Sequence, residues 1–128
     1  MKKIATILLC LAAVLFCLGG CSKKQESMQK NLEKAGYTVE DFDESRLSDV
    51  NQSLKGQYSG IGTVVSGFQA DLDNTSNHYA IAVTFSHSDD MKPMYDAIKA
   101  ELDDNEAIDY RGKTLVYGTK DAVKIALK

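Results

Sequence analysis

The sequence predicts an α+β fold, a small single domain with an antiparallel sheet packed against helices. Three observations carry that reading. Tyr79, Ile81, Val83 and Phe85 alternate with Ala80, Ala82 and Thr84, the two-residue period of a strand. Met91, Tyr95, Ile98 and Leu102 recur at i, i+4, i+7 and i+11, one stripe of a helix. Asp73-Asn74-Thr75-Ser76-Asn77 is turn chemistry between two β-like stretches, which predicts a hairpin with a five-residue loop.

The elements follow in order. Met28, Leu32 and Ala35 share a helical face, and Gly36 stands where a glycine ends a helix. Tyr37 to Phe42 alternates as a half-buried strand. Asp43 or Ser45 caps a second helix with Leu47, Val50 and Leu54 on one face and Gly56 at its end. From Tyr58 to Leu72 the pattern is β, with Val64, Phe68 and Leu72 on one parity and Ile61 and Val65 on the other. The hairpin partner runs from His78 to Ser86. Ser88-Asp89-Asp90 supplies caps and negative charge for the third helix, with Pro93 in its first turn. Asp103-Asp104-Asn105 ends it. Ala107 to Tyr110 and Thr114 to Tyr117 are two short strands around Arg111-Gly112, and Thr119 caps a last helix with Ala122, Ile125 and Ala126 inward. The middle reads βαββαβ, the ferredoxin-like order, with extra N- and C-terminal helices. A longer helix and a meander over residues 29–72 is the alternative.

Before this domain the chain opens Met1-Lys2-Lys3 and runs apolar from Ile4 to Leu18. A basic start, an apolar stretch and a small-residue cleavage site are the grammar of a secretory signal. A membrane-spanning helix needs about 20 apolar residues, and Gly19-Gly20 closes this run earlier. Leu18-Gly19-Gly20-Cys21 resembles the lipobox of bacterial lipoproteins. Leu18 matches the aliphatic third before the cysteine, Gly20 the small residue just before it, and Gly19 is a less usual small residue between them. The resemblance implies that the Cys21 thiol receives a diacylglyceryl group and that a peptidase cuts before Cys21. It implies three segments: 1–20 a removed signal peptide, 21–27 the lipidated cysteine and a tether, and 28–128 the domain. Two acyl chains hold a protein where one holds it only marginally. The expected partner is thus the membrane, with the protein on the extracytoplasmic face of the cell membrane. Ser22 rather than Asp after the acceptor favours the outer membrane in an organism that has two.

Composition narrows the function. The chain carries 15 Lys and Arg against 18 Asp and Glu, a formal charge of -3. Loss of Lys2 and Lys3 leaves 13 against 18, or about -5. That argues against a nucleic-acid footprint, which needs a basic surface. Lys23 and Lys24, just after the lipobox, are placed to touch anionic headgroups. Cys10 and Cys17 leave with the signal, so the mature chain keeps Cys21 alone. A disulfide, a thiolate metal site and a cysteine nucleophile are thereby excluded from the domain.

The remaining candidates have ordinary explanations beside the chemical ones. His78 and His87 are nine positions apart, so on one strand they face opposite ways about 30 Å from each other. His87, Asp89 and Asp90 form a polar cluster with the makings of a metal or proton site, although Asp at a strand-to-helix turn is an expected cap. Asp71, Asp73 and Asn74 fail the calcium-loop register, with Ser76 at the sixth position and Ala82 at the twelfth. Gly56, Gly60, Gly62 and Gly67 lead into a strand rather than a helix, which suits a loop and a bulge at Gly67 better than a phosphate cradle. Glu101, Asp103, Asp104 and Glu106 read as a solvated helix end, and Tyr110 and Tyr117 as sheet-face residues. No G-x-S-x-G is present.

The domain is also similar to small envelope lipoproteins of single-membrane bacteria, through Leu32-Glu33-Lys34-Ala35-Gly36-Tyr37-Thr38-Val39 and Tyr117-Gly118-Thr119-Lys120-Asp121-Ala122. That likeness implies no activity. The expectation is a non-catalytic binding module for an envelope protein or small ligand, with no cofactor and no metal. The alternative is a small envelope enzyme or metal-dependent hydrolase built on His87, Asp89 and Asp90.

Overall fold

The computed structural model describes residues 22–73 and 77–128. The lipobox, Leu18 to Cys21, lies outside them. Helix α1 (Ser22–Lys34) ends in a Schellman motif. Gly36 adopts φ 95°, the Tyr37 N–H donates to Leu32 O at 3.0 Å and the Gly36 N–H to Glu33 O at 3.0 Å. Tyr37 then packs in the same cluster as Leu32. Strand β1 (Thr38–Asp41) follows, and helix α2 (Glu44–Gln57) begins at Asp43, whose carboxylate accepts from the Arg46 N–H at 2.8 Å.

Strands β2 (Val64–Asp71) and β3 (Tyr79–Phe85) form the expected hairpin. A 3₁₀ turn (Ser88–Met91) leads into α3 (Lys92–Ala100), with Pro93 in its first turn. Strands β4 (Glu106–Arg111) and β5 (Thr114–Thr119) flank the Gly112-Lys113 turn, and α4 (Lys120–Ala126) closes the chain.

The five strands lie in the order β1-β2-β3-β5-β4, every pair antiparallel. The fold is α+β as predicted, but the ferredoxin-like order is corrected. That order needs β1 inside the sheet, beside β3. Here β5, tied to β4 by two residues, pairs with β3 instead, and β1 pairs with β2 at the edge. One split βαβ unit survives: β3 and β4 run parallel with β5 between them.

A second correction concerns β2. The register shifts between Val64 and Ser66, so the bulge sits at Val65 and not at Gly67. The extra residue sends Val64 and Phe68 to opposite faces, despite their common parity in sequence. Gly67 answers a different need. A Cβ there would lie 2.6 Å from the Phe42 ring and 2.8 Å from Ala82 O.

Each sheet face carries two helices. On one, α1 and α4 bring Met28, Leu32, Ala122, Val123 and Ala126 against Phe68, Ala70, Ala80, Ala82 and Val116. The run of alanines on the central strands lets the helices approach closely. On the other, α2 and α3 bring Leu54, Met91 and Ile98 against Val64, Val83, Phe85, Ile108 and Leu115. The terminal helices are thus a full layer, each packed on the other and on the sheet.

The expected tether over residues 21–27 is corrected as well. Residues 22–27 are the first turns of α1. Gln25 is 7% exposed, and its side-chain oxygen accepts from Ser66 Oγ at 2.9 Å and Thr84 Oγ1 at 2.8 Å. Thr84 Oγ1 also lies 2.8 Å from Thr114 Oγ1. Residues 22–27 therefore belong to the packed domain rather than to a tether.

Candidate functional site

Strand β3 sets the geography, because its two ends carry the two histidines. After its last residue, His87 Nδ1 lies 3.5 Å from Asp90 Oδ2, and Ser86 Oγ donates to that same oxygen at 3.2 Å. Asp90 O accepts from the Gly62 N–H at 3.1 Å, and a Cβ on Gly62 would lie 2.1 Å from Asp90 Cβ. Asp90 therefore clamps the loop before β2 to the start of the 3₁₀ turn. The expected trio is only partly assembled: Asp89 is exposed, and the His87 side chain is 81% exposed. Among the described residues no group of three His, Cys, Asp or Glu is placed to hold a metal ion.

At the other end, His78 Nδ1 lies 2.5 Å from Asp121 Oδ2, and Tyr37 OH donates to that oxygen at 3.4 Å. Burial pushes the Asp121 carboxyl up, but hydrogen bonds from Thr119, His78 and the Ala122 N–H outweigh it and hold it below its ordinary range. Thr119 occupies the N-cap position of α4 as expected. Its hydroxyl turns to β3, accepting from the Tyr79 N–H at 3.2 Å, and its single proton is shared between Tyr79 O at 3.2 Å and the Asp121 carboxylate.

Beside it, Glu106 leaves the predicted solvated helix end and opens β4. Its Oε2 accepts from Tyr79 OH at 2.6 Å and Tyr117 OH at 2.7 Å, and its Oε1 accepts from the Asp103 N–H at 3.1 Å. The two rings meet edge to face, with centroids 6.1 Å apart. Bonds from Tyr79, Tyr117 and Asp103 hold the Glu106 carboxyl below its ordinary value. Burial, together with the partner tyrosine and Glu106, pushes the Tyr117 phenol well up. A phenol held so firmly protonated is a hydrogen-bond donor rather than a base or nucleophile.

The concave surface lies elsewhere, along the outer strand β4. Neither α1 nor α4 covers it fully. An open groove of about 520 Å³ runs between β4 and α4. Ala107, Val123 and Leu127 supply its apolar surface, and Asp109, Arg111, Lys120, Lys124 and Lys128 its polar lining. A smaller cleft of about 160 Å³ continues it to α1, sharing Arg111, Leu127 and Lys128 and adding Lys24. Arg111 Nη1 lies 3.4 Å from Asp109 Oδ2 and donates to Tyr110 O at 2.9 Å. The four lysine ammonium groups make no ion pair among the described residues. This arrangement receives negative charge, with aliphatic surface beneath.

Apart from Lys24, expected at the headgroups, the sequence reading missed these residues, though one signal was there. Lys120, Lys124 and Lys128 repeat every four residues, the spacing of one helix face. Arg111 and Lys24 have no such signal, because only the fold brings β4 and α1 to that stripe. The chain matches no protein-family model, no curated protein and no solved structure.

Proposed function

We propose that the chain is a bacterial lipoprotein, lipidated at Cys21, whose domain is a non-catalytic binding module on the extracytoplasmic face of the cell membrane. The observation that carries the reading is the sequence Leu18-Gly19-Gly20-Cys21 behind Lys2-Lys3 and an apolar run too short to span a bilayer. No described helix is long and apolar enough to cross a membrane, and in this reading the acyl chains supply the attachment.

The binding reading is supported by the groove beside β4 and by the open sheet edge that β4 forms. Aliphatic and cationic side chains predominate in the groove, with Asp109 paired to Arg111, a set suited to holding a partner. The test is the intact mass and detergent partitioning of the protein made in a bacterium, with Cys21→Ser beside it. Wild type is expected in the detergent phase with a diacylglyceryl mass that the variant lacks. Two soluble proteins of matching processed mass would sink the reading.

A further inference from the structure

We propose that Lys24, Arg111, Lys120, Lys124 and Lys128 form a membrane-facing surface, which holds the α1–α4 side of the domain against anionic lipid headgroups. The proposal rests on the lipid anchor at Cys21 for its geometry.

Position is the first argument. Lys24 is three residues beyond Cys21, at most about 11 Å of chain, so a bilayer holding Cys21 lies close to one Debye length from it at moderate salt. Lys24 also marks where α1 meets the sheet: its Cγ lies 3.9 Å from the place a Cβ on Gly112 would take, in the β4–β5 turn. From there the cations continue along both clefts, with Asp109 beside Arg111. Lys24, Arg111 and Lys128 line one cleft, and Arg111, Lys128, Lys124 and Lys120 line the next. Along α4, Lys120 and Lys124 are about 6 Å apart at 1.5 Å per residue, and Lys128 follows two residues past the helix end. The strip starts at the anchor and leads away along one side, which fits a domain lying down on α4 rather than standing on the end of α1.

Charge distribution is the second argument. The chain is net acidic, at -3, so a cationic strip is not a by-product of composition. Its acidic residues collect elsewhere. Asp71 pairs in register with Tyr79 and Glu106 with Thr119, which places Asp71, Asp103, Asp104, Glu106 and Asp121 at the end of the sheet away from the β4–β5 turn. Near the turn end, Asp89 and Asp90 belong to the α2–α3 side, where Met91 is buried. Asp109 lines the strip beside Arg111, and Asp121 follows Lys120 at its far end. An anionic surface is attracted to this flank through its five cations.

The test uses the purified full-length product reconstituted with vesicles of phosphatidylcholine, alone or mixed with phosphatidylglycerol. Flotation reports attachment. Amine acetylation read by mass spectrometry reports which lysines face the lipid, with Lys34 and Lys55 on other surfaces as internal references. The expected result is flotation with both vesicles, and labelling of Lys24, Lys124 and Lys128 slowed about threefold or more with the anionic vesicles only, restored by high salt. Lys124→Glu with Lys128→Glu should float equally well and show no such slowing at Lys24. These residues are exposed or line an open rim, so the fold should tolerate the change. Flotation with both vesicles and identical labelling overturns the membrane-facing surface while the anchor stands, and leaves the cations for an acidic protein partner. Flotation with anionic vesicles alone, lost in the double variant, overturns the anchor and upholds the surface. Flotation with neither overturns both.

Discussion

Glu106 shows how much one side chain organises. It receives two phenols and one backbone N–H, and so joins β3, β5 and the end of the α3–β4 loop. Because those bonds favour the ionised form, its folded pKa lies below the ordinary carboxylate value of 4.5. The stability that follows is fully present above that ordinary value and is lost as pH falls through the folded one. Thermal melting should therefore drop as pH falls below about 4.5, and Glu106→Gln should melt lower at neutral pH but lose less on acidification. Asp121, also held down, titrates in the same direction, so the variant's slope should shrink rather than vanish. Melts by circular dichroism at a series of acid pH values decide it; parallel slopes for the two proteins would remove Glu106 from the account. A close-packed glycine complements this cluster. A Cβ on Gly118 would lie 2.1 Å from Tyr79 O, so β5 can approach β3 here only without a side chain.

At the scale of elements, α1 separates what hydropathy reveals from what it hides. Met28 and Leu32 announced the helix, and the Gly36 stop was legible from position alone. The first two turns were not, because Ser22 to Ser27 has no apolar stripe. Gln25 is buried by bonds to Ser66 and Thr84, residues 41 and 59 positions away, and local sequence cannot announce such partners. Register failed in β2 for a related reason: one bulged residue at Val65 inverts parity, and nothing in its type marks it. In the site, His87 and Asp90 were legible as neighbours in sequence, whereas the groove needed β4, α4 and α1 placed together. Gln25 also yields a measurable consequence. Gln25→Ala leaves the hydroxyls of Ser66 and Thr84 without their acceptor and should cost about 1–3 kcal/mol, read as a lowered denaturant midpoint with unchanged slope. A chain starting at Met28 should lose at least as much. Were both as stable as wild type, residues 22–27 would be a tether after all.

The whole molecule is held by one sheet shared between two cores. Phe68 and Ala82 belong to the α1–α4 side and Phe85 and Val83 to the α2–α3 side, all on the adjacent strands β2 and β3. Strand β3 has neighbours on both sides, and Ala80, Ala82, Thr84 and Phe85 are fully buried. It cannot open without exposing both layers. The β1 edge is different: four residues, mostly exposed, with Glu40 and Asp41 among them, paired on one side. Such charged short edges discourage strand addition, and the absence of deep packing makes them the first to open. Amide hydrogen exchange should therefore rank the molecule by strand. The Ala80–Thr84 amides should exchange only with global unfolding. The hydrogen-bonded amides among residues 38–41 should exchange at least about a hundredfold faster, a gap of about 2.7 kcal/mol. Strand β4 decides between two pictures of the C-terminal half. If the split unit of β3, α3, β4 and β5 opens as one body, β4 amides should track β5 despite the open groove beside them. If β4 exchanges with β1 instead, the groove is lined by a strand that opens on its own, and a partner seated there should slow β4 exchange before it alters that of β3.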